Sequence, residues 1–233
     1  MFLNNTEFYF YIRGHVRESF NTNTLNNFII KLRFKFPNVK IIYHTWDTFE
    51  CGKNYSWKKI QQNRKEVYMS TLQRYFTDEI IDKNNCIIST ENNIKYYGNI
   101  DGKICKSLAP KKGWKNMWYG INEGLNNIKD EDKDKIMVVF RYDYFDVPFS
   151  GCKIPNLCYN EIIQFIKKSL NTEKTVFYKN TYDMGVDNLY ISKVGDIKEL
   201  VSKFYFNLDN IEKLYPNIRN QEVLVPLVSN LLK

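Results

Sequence analysis

A run of five apolar residues, Ile136-Met-Val-Val-Phe140, stops abruptly at Arg141-Tyr-Asp143, with a further aspartate at Asp146. From Met137 to Phe140 the run offers no polar face to water, so it fits a strand buried on both faces of an α/β sheet. In open α/β sheets, ligands gather at the carboxyl ends of the strands. A guanidinium placed there grips phosphate through two hydrogen bonds, and a carboxylate holds a hard divalent cation. Arg-x-Asp at a strand end therefore suits a metal-bound diphosphate. Its competing role is a strand-end salt bridge.

The flanking pattern supports a sheet. Residues 7–12 read as a first strand rich in aromatics. Arg13-Gly14-His15 follows as a turn, and residues 16–36 carry helical spacing through Phe20, Leu25, Phe28, Ile29 and Leu32, closed by Pro37. Residues 39–43 form a second strand that ends in His44-Thr-Trp46-Asp47. This β-α-β order predicts parallel strands joined by a right-handed crossover. Arg13, Gly14, His15 and Arg17 then share one sheet edge with His44, Trp46 and Asp47.

Farther along, residues 50–83 read as mostly helical and residues 86–89 as a third strand. A small hairpin around 94–97 and Ile104 is expected, turning at Asn99-Ile-Asp101-Gly102. Helices are expected over 114–128, 158–170, 196–206 and 220–232, with Pro226 bending or restarting the last. Strands are expected over 175–178 and 186–192. Asp130, Asp132 and Asp134 alternate in a charged connector, a solvated setting ill-suited to a metal. No repeat or internal boundary interrupts the 233 residues, which read as a single domain 1–233.

Composition narrows the function classes. Hydrophobic residues make up 43% and aromatics 16%, enough for a substantial core. The net charge of +8 is scattered in short pairs such as Lys58-Lys59 and Lys167-Lys168. With no accompanying motif, specific nucleic-acid binding is not expected. Such a field suits nucleotide-sugar phosphates or an anionic membrane surface. Five cysteines without a Cys-x-x-Cys pair argue against a zinc ribbon and a complete disulfide framework, and favour a reducing compartment. Residues 1–6 lack a basic region, and no apolar run approaches the roughly 20 residues of a membrane span. A soluble cytoplasmic protein is the expectation, with peripheral membrane contact compatible with its charge.

Several segments together resemble a family of small GT-A-like glycosyltransferases found in bacterial surface-glycan gene clusters and in large DNA viruses. They are Tyr11-Ile-Arg-Gly14-His15-Val-Arg17, Tyr43-His-Thr-Trp-Asp47, Lys115-Asn-Met-Trp-Tyr119-Gly, Phe140-Arg-Tyr-Asp143, Asp183-Met-Gly-Val-Asp187-Asn-Leu-Tyr-Ile-Ser192 and Gln221-Glu222-Val. The resemblance implies a GT-A-like, Rossmann-type α/β fold with a mainly parallel sheet. Its nucleotide-binding part would cover about 1–146 and its acceptor side about 147–233. It also implies a nucleotide-sugar donor, UDP-sugar ahead of GDP-sugar, a glycan or other hydroxyl acceptor, and Mn²⁺ or Mg²⁺. A cytoplasmic setting in a bacterium or a virus-infected host cell accompanies it.

Mapped onto this chain, Arg13, Gly14 and Arg17 would lie near the nucleotide, with His44, Trp46 and Asp47 at the second strand end. Asp143 would be the metal carboxylate and Arg141 an electrostatic partner of the diphosphate. Arg141-Tyr-Asp143 stands where a strict Asp-x-Asp is usual, which leaves metal dependence, or the number of direct protein ligands, open. Lys112 and Lys115 enter the 114–128 helix from a Pro–Gly loop, placed to reach a diphosphate or to sit in solvent. Trp46 would pack on a base or in the core. Asp187, or alternatively Asp183, would contact the acceptor hydroxyl and take its proton if the anomeric centre inverts. A noncatalytic nucleotide or glycan binder is the rival reading, and a metal-dependent nucleotidyltransferase or phosphohydrolase the third.

Overall fold

The computed structural model describes residues 6–48, 66–76, 82–145, 155–178 and 188–232, the side chains of 155–157 excepted. Asp146, Asp183 and Asp187 lie outside these residues.

Six strands form one sheet: β1 (Phe8–Arg13), β2 (Val39–Trp46), β3 (Cys86–Ser89), β4 (Ile136–Arg141), β5 (Val176–Phe177) and β6 (Leu189–Lys193). Their order is β3-β2-β1-β4-β6-β5. The first four run parallel, while β6 pairs antiparallel with both β4 and β5. The protein is thus α/β with a mostly parallel sheet. The order 3-2-1-4 is compatible with a Rossmann-like sheet, and the strand order reverses between β1 and β4.

Strand alternation builds two cores. Phe8, Phe10 and Ile12 point to one face with Val138 and Phe140; Tyr9 and Tyr11 point to the other with Met137 and Val139. The first face is covered by α1 (Thr24–Lys35), α2 (Met69–Tyr75) and α4 (Pro155–Ser169). In α1, Leu25, Phe28, Ile29 and Leu32 recur at helical spacing and are buried. This helix is shorter than the 16–36 stretch expected. A 3-10 turn at Ser19–Asn21 precedes it, and Thr22 is extended, its hydroxyl accepting from Thr24 N at 3.4 Å. Such side-chain bonds compete with the helical ladder.

The second face is covered by α3 (Lys111–Leu125), α5 (Val194–Val201), α6 (Leu208–Leu214) and α7 (Leu224–Ser229). The sequence reading did not anticipate α6 as a separate helix. Residues 202–206 widen into a π turn after α5. Pro226 falls in the first turn of α7, where a missing N–H is tolerated. The expected 94–97 hairpin does not form: Lys103 bridges Pro110 instead, and positive-φ turns occur at Gly98 and Gly102.

Asp132 is buried at the opposite end of the sheet, where Tyr9 Oη donates to it and Lys135 bridges it at 2.8 Å. That carboxylate is structural. Cys86 and Cys105 are free thiols, whereas Cys158 is disulfide-bonded. An odd count excludes a complete disulfide framework but leaves room for a pair. No helix among the described residues is long and apolar enough to cross a membrane.

Candidate functional site

Arg13 ends β1 and Arg141 ends β4, and the two are paired in register. Strand alternation puts both on the face that carries α3 and α5, together with His44 and Trp46 of β2. Beyond Arg13 the chain turns through Gly14 at φ 106° and Arg17 at φ 50°. A left-handed arginine costs roughly 1–3 kcal/mol in backbone strain, so something must hold it there. Arg17 Nη1 donates to Asp143 Oδ2.

Arg141 reaches the same carboxylate from its own strand. Its Nε donates to Asp143 Oδ1 at 2.9 Å and its Nη2 to Asp143 Oδ2 at 2.8 Å, a bidentate fork. Its Nη1 donates to Asn188 Oδ1, and its backbone N to Asn188 O at 3.1 Å. Burial alone would raise the Asp143 carboxyl. The Arg141 and Arg17 charges and hydrogen bonds outweigh it and hold the group down at about 2. Side-chain exposure is 6% for Asp143, 19% for Arg17 and 23% for Arg141, so the arginines are the more exposed partners.

A metal at Asp143 meets a poor setting. Both oxygens already accept from guanidinium, so two guanidinium charges flank one carboxylate. Among the described residues no group of three His, Cys, Asp or Glu side chains is placed to hold a metal ion. These side chains do not fit a hard cation, whose ligands are oxygens free of competing cations. They fit an anion.

On the β2 side, His44 is buried and its Nε2 lies 3.1 Å from Ser89 Oγ. Burial first, and then the charge of Arg13, depress His44 to about 3, so it is neutral. Trp46 is 3% exposed, stacked on His15 at 5.7 Å and close to Tyr119 at 6.0 Å. The indole is therefore core, with its faces taken by neighbours; His15 and Tyr119 are the half-exposed rings beside it. His15 Nδ1 is 3.2 Å from Thr48 O. Asp47 accepts from the Thr90 hydroxyl at 2.8 Å. It shares the sheet edge with the arginines but stands two strands from β4, roughly 10 Å away at the usual strand spacing.

Helix α3 descends from this edge: Tyr119 packs on Trp46, Gly120 on His44 and Gly124 on Tyr11. Its first turn carries Lys112, exposed, with its ammonium 5.7 Å from the Tyr96 ring centroid. Lys115 does not sit in solvent, one of the two settings read for it, and its ammonium is engaged by backbone. It is 0% exposed, and its ammonium donates to the carbonyls of Tyr97 and Tyr205, the latter at 3.3 Å. Tyr205 lies in the π turn, so Lys115 satisfies a helix-end carbonyl and ties residue 97 to it. A long aliphatic stem with a polar tip suits that buried bridging role.

The structure thus gathers Arg13, Gly14, Arg17, Arg141 and Asp143 at the crossover point and sets His44, Trp46 and Asp47 along the same edge. Asn188, buried and bonded to Arg141, was missed by the sequence reading. It lay inside the expected 186–192 strand, so no local signal set it apart; its place just before β6 is a tertiary finding. No protein family, curated protein or solved structure matches this chain.

Proposed function

We propose that the protein is a glycosyltransferase of GT-A-like architecture, moving a sugar from a nucleotide-diphosphate donor, UDP-sugar ahead of GDP-sugar, to a glycan or other hydroxyl acceptor. The observation that carries this reading is the juxtaposition of Arg13, Arg17 and Arg141 where β1 and β4 part. Ligands of open α/β sheets bind at that point, and guanidinium clusters recognise phosphate oxygens.

In the transfer, the acceptor oxygen attacks the anomeric carbon, the bond from that carbon to the diphosphate breaks, and the nucleoside diphosphate leaves with the electron pair. The guanidiniums stabilise charge growing on the departing phosphate. Asp187, or in its place Asp183, takes the acceptor proton if the centre inverts. Asn188, the residue after Asp187, is bonded to Arg141, which supports an acceptor segment beside the diphosphate. The scattered positive charge supports an acidic donor and is compatible with a peripheral membrane contact.

Purified protein incubated with a panel of UDP- and GDP-sugars, with and without candidate acceptors, tests the reading. Acceptor-dependent release of UDP or GDP is expected. Binding without any release would make it a noncatalytic nucleotide binder, and release of inorganic phosphate or pyrophosphate would point to a hydrolase or nucleotidyltransferase.

A further inference from the structure

The carboxylate of Asp143 and the guanidiniums around it carry an assignment beyond sugar transfer in general. A divalent cation approaching Asp143 would meet Arg17 and Arg141 first, because they hold both of its oxygens and are the more exposed partners. It would also enter a group of two guanidiniums and one carboxylate, with an excess of one positive charge. An anion meets the opposite situation. Its oxygens face guanidiniums already oriented by Asp143 and, for Arg141, by Asn188 as well. Little ordering entropy remains to be lost when such a preorganised pair takes a ligand.

We infer that Arg17 and Arg141 bind the donor's diphosphate directly, without a bridging metal, and that Asp143 is a positioning residue for them. The inference rests on the nucleotide-donor reading above for the identity of the ligand, but not for its charge. Neutralisation of the diphosphate then comes from fixed guanidiniums, and Asp143 keeps the left-handed Arg17 turn and the β4 end in one arrangement. The short Arg141-Tyr-Asp143 spacing has its reason here, since an arginine two residues before the carboxylate forks onto it from the same strand end.

Calorimetric titration of the full chain with UDP, GDP and inorganic pyrophosphate, in EDTA and in Mn²⁺, tests this. Binding in EDTA is expected. Arg141→Ala and Arg17→Ala should each weaken it by roughly 10- to 100-fold, the loss of one or two charge-assisted hydrogen bonds. Arg141→Lys should not restore it, because an ammonium lacks the fork. Asp143→Asn, whose amide oxygen still accepts from a guanidinium, should retain metal-free binding better than Asp143→Ala, with thermal melting as the folding control. A metal ligand would not be rescued by the amide.

Nucleotide binding that vanishes in EDTA, returns with Mn²⁺ and is lost in Asp143→Asn would overturn the inference while leaving the transferase reading intact. Metal-free binding unaffected by both arginine substitutions would overturn the site. Pyrophosphate bound without metal, but no nucleotide bound, would sustain the arginine clamp and sink the nucleotide-donor reading. Failure of every probe to bind would overturn both.

Discussion

Arg17, in the connection after β1, donates to Asp143, just beyond β4, across 126 residues of chain. That bond, with the fork from Arg141, holds two strand ends together at the crossover point of the sheet. It also makes the site sensitive to acid in a definite order.

Acidification should destabilise the protein in two stages. His44 is buried neutral with its pKa depressed to about 3, against about 6.5 when unfolded. Its contribution is therefore present above about pH 6.5 and lost as pH falls toward 3, by about 1.4 kcal/mol per pH unit in that window. Asp143, depressed to about 2, adds a second loss as pH falls from about 4 through 2. Urea unfolding measured across this range should show both slopes. His15, which burial and then the charge of Arg17 also lower to about 3, acts in the same window, so His44→Gln should reduce the first slope and leave the second. An unchanged slope would exclude His44 as a source.

Gly120→Ala should destabilise the fold in spite of its helical position. Alanine gains about 1 kcal/mol of helix propensity over glycine. Its Cβ, however, would lie 2.7 Å from His44 Cε1 and 2.9 Å from Nδ1, a buried ring with no room to retreat. Overpacking of this kind costs about 1–3 kcal/mol. A lowered melting temperature is expected, together with a shifted His44 resonance in the NMR spectrum. A variant as stable as the parent would show that α3 can stand farther from β2.

Lys115→Met should lower stability by about 1–3 kcal/mol, because it strips the carbonyls of Tyr97 and Tyr205 of a buried donor. Nucleotide affinity should be unchanged in the folded variant. A selective loss of affinity without a loss of stability would return Lys115 to the diphosphate.

Asp187→Asn should leave donor binding intact and slow transfer by roughly 10²–10⁴-fold if Asp187 is the general base. Asp183→Asn is the paired test. Single-turnover transfer measured beside donor titration separates the steps. Normal rates in both variants would remove each aspartate from the acceptor role.

Local pattern in the chain was enough for much of the sheet. The aromatic-rich run 7–12 marked a strand and the unbroken apolar run 136–140 a buried one, and the helix between β1 and β2 made the parallel pairing of β1 with β2 the expected outcome. Strand ends rich in Arg, His and Asp then marked one edge as the site, because backbone direction delivers those residues together. Three things needed tertiary structure. The antiparallel entry of β6 depends on pairing with β4, which no local period encodes. The burial of Lys115 depends on two carbonyls, 18 residues before it in the chain and 90 after it. Above all, the state of Asp143 was undecided in sequence: a strand-end aspartate reads equally as a metal ligand or an ion-pair partner. In the structure Arg17 pairs with it, and it reaches that carboxylate only because the sheet sets β1 beside β4. Charge pairing acts over a few ångströms of space, whatever the separation along the chain.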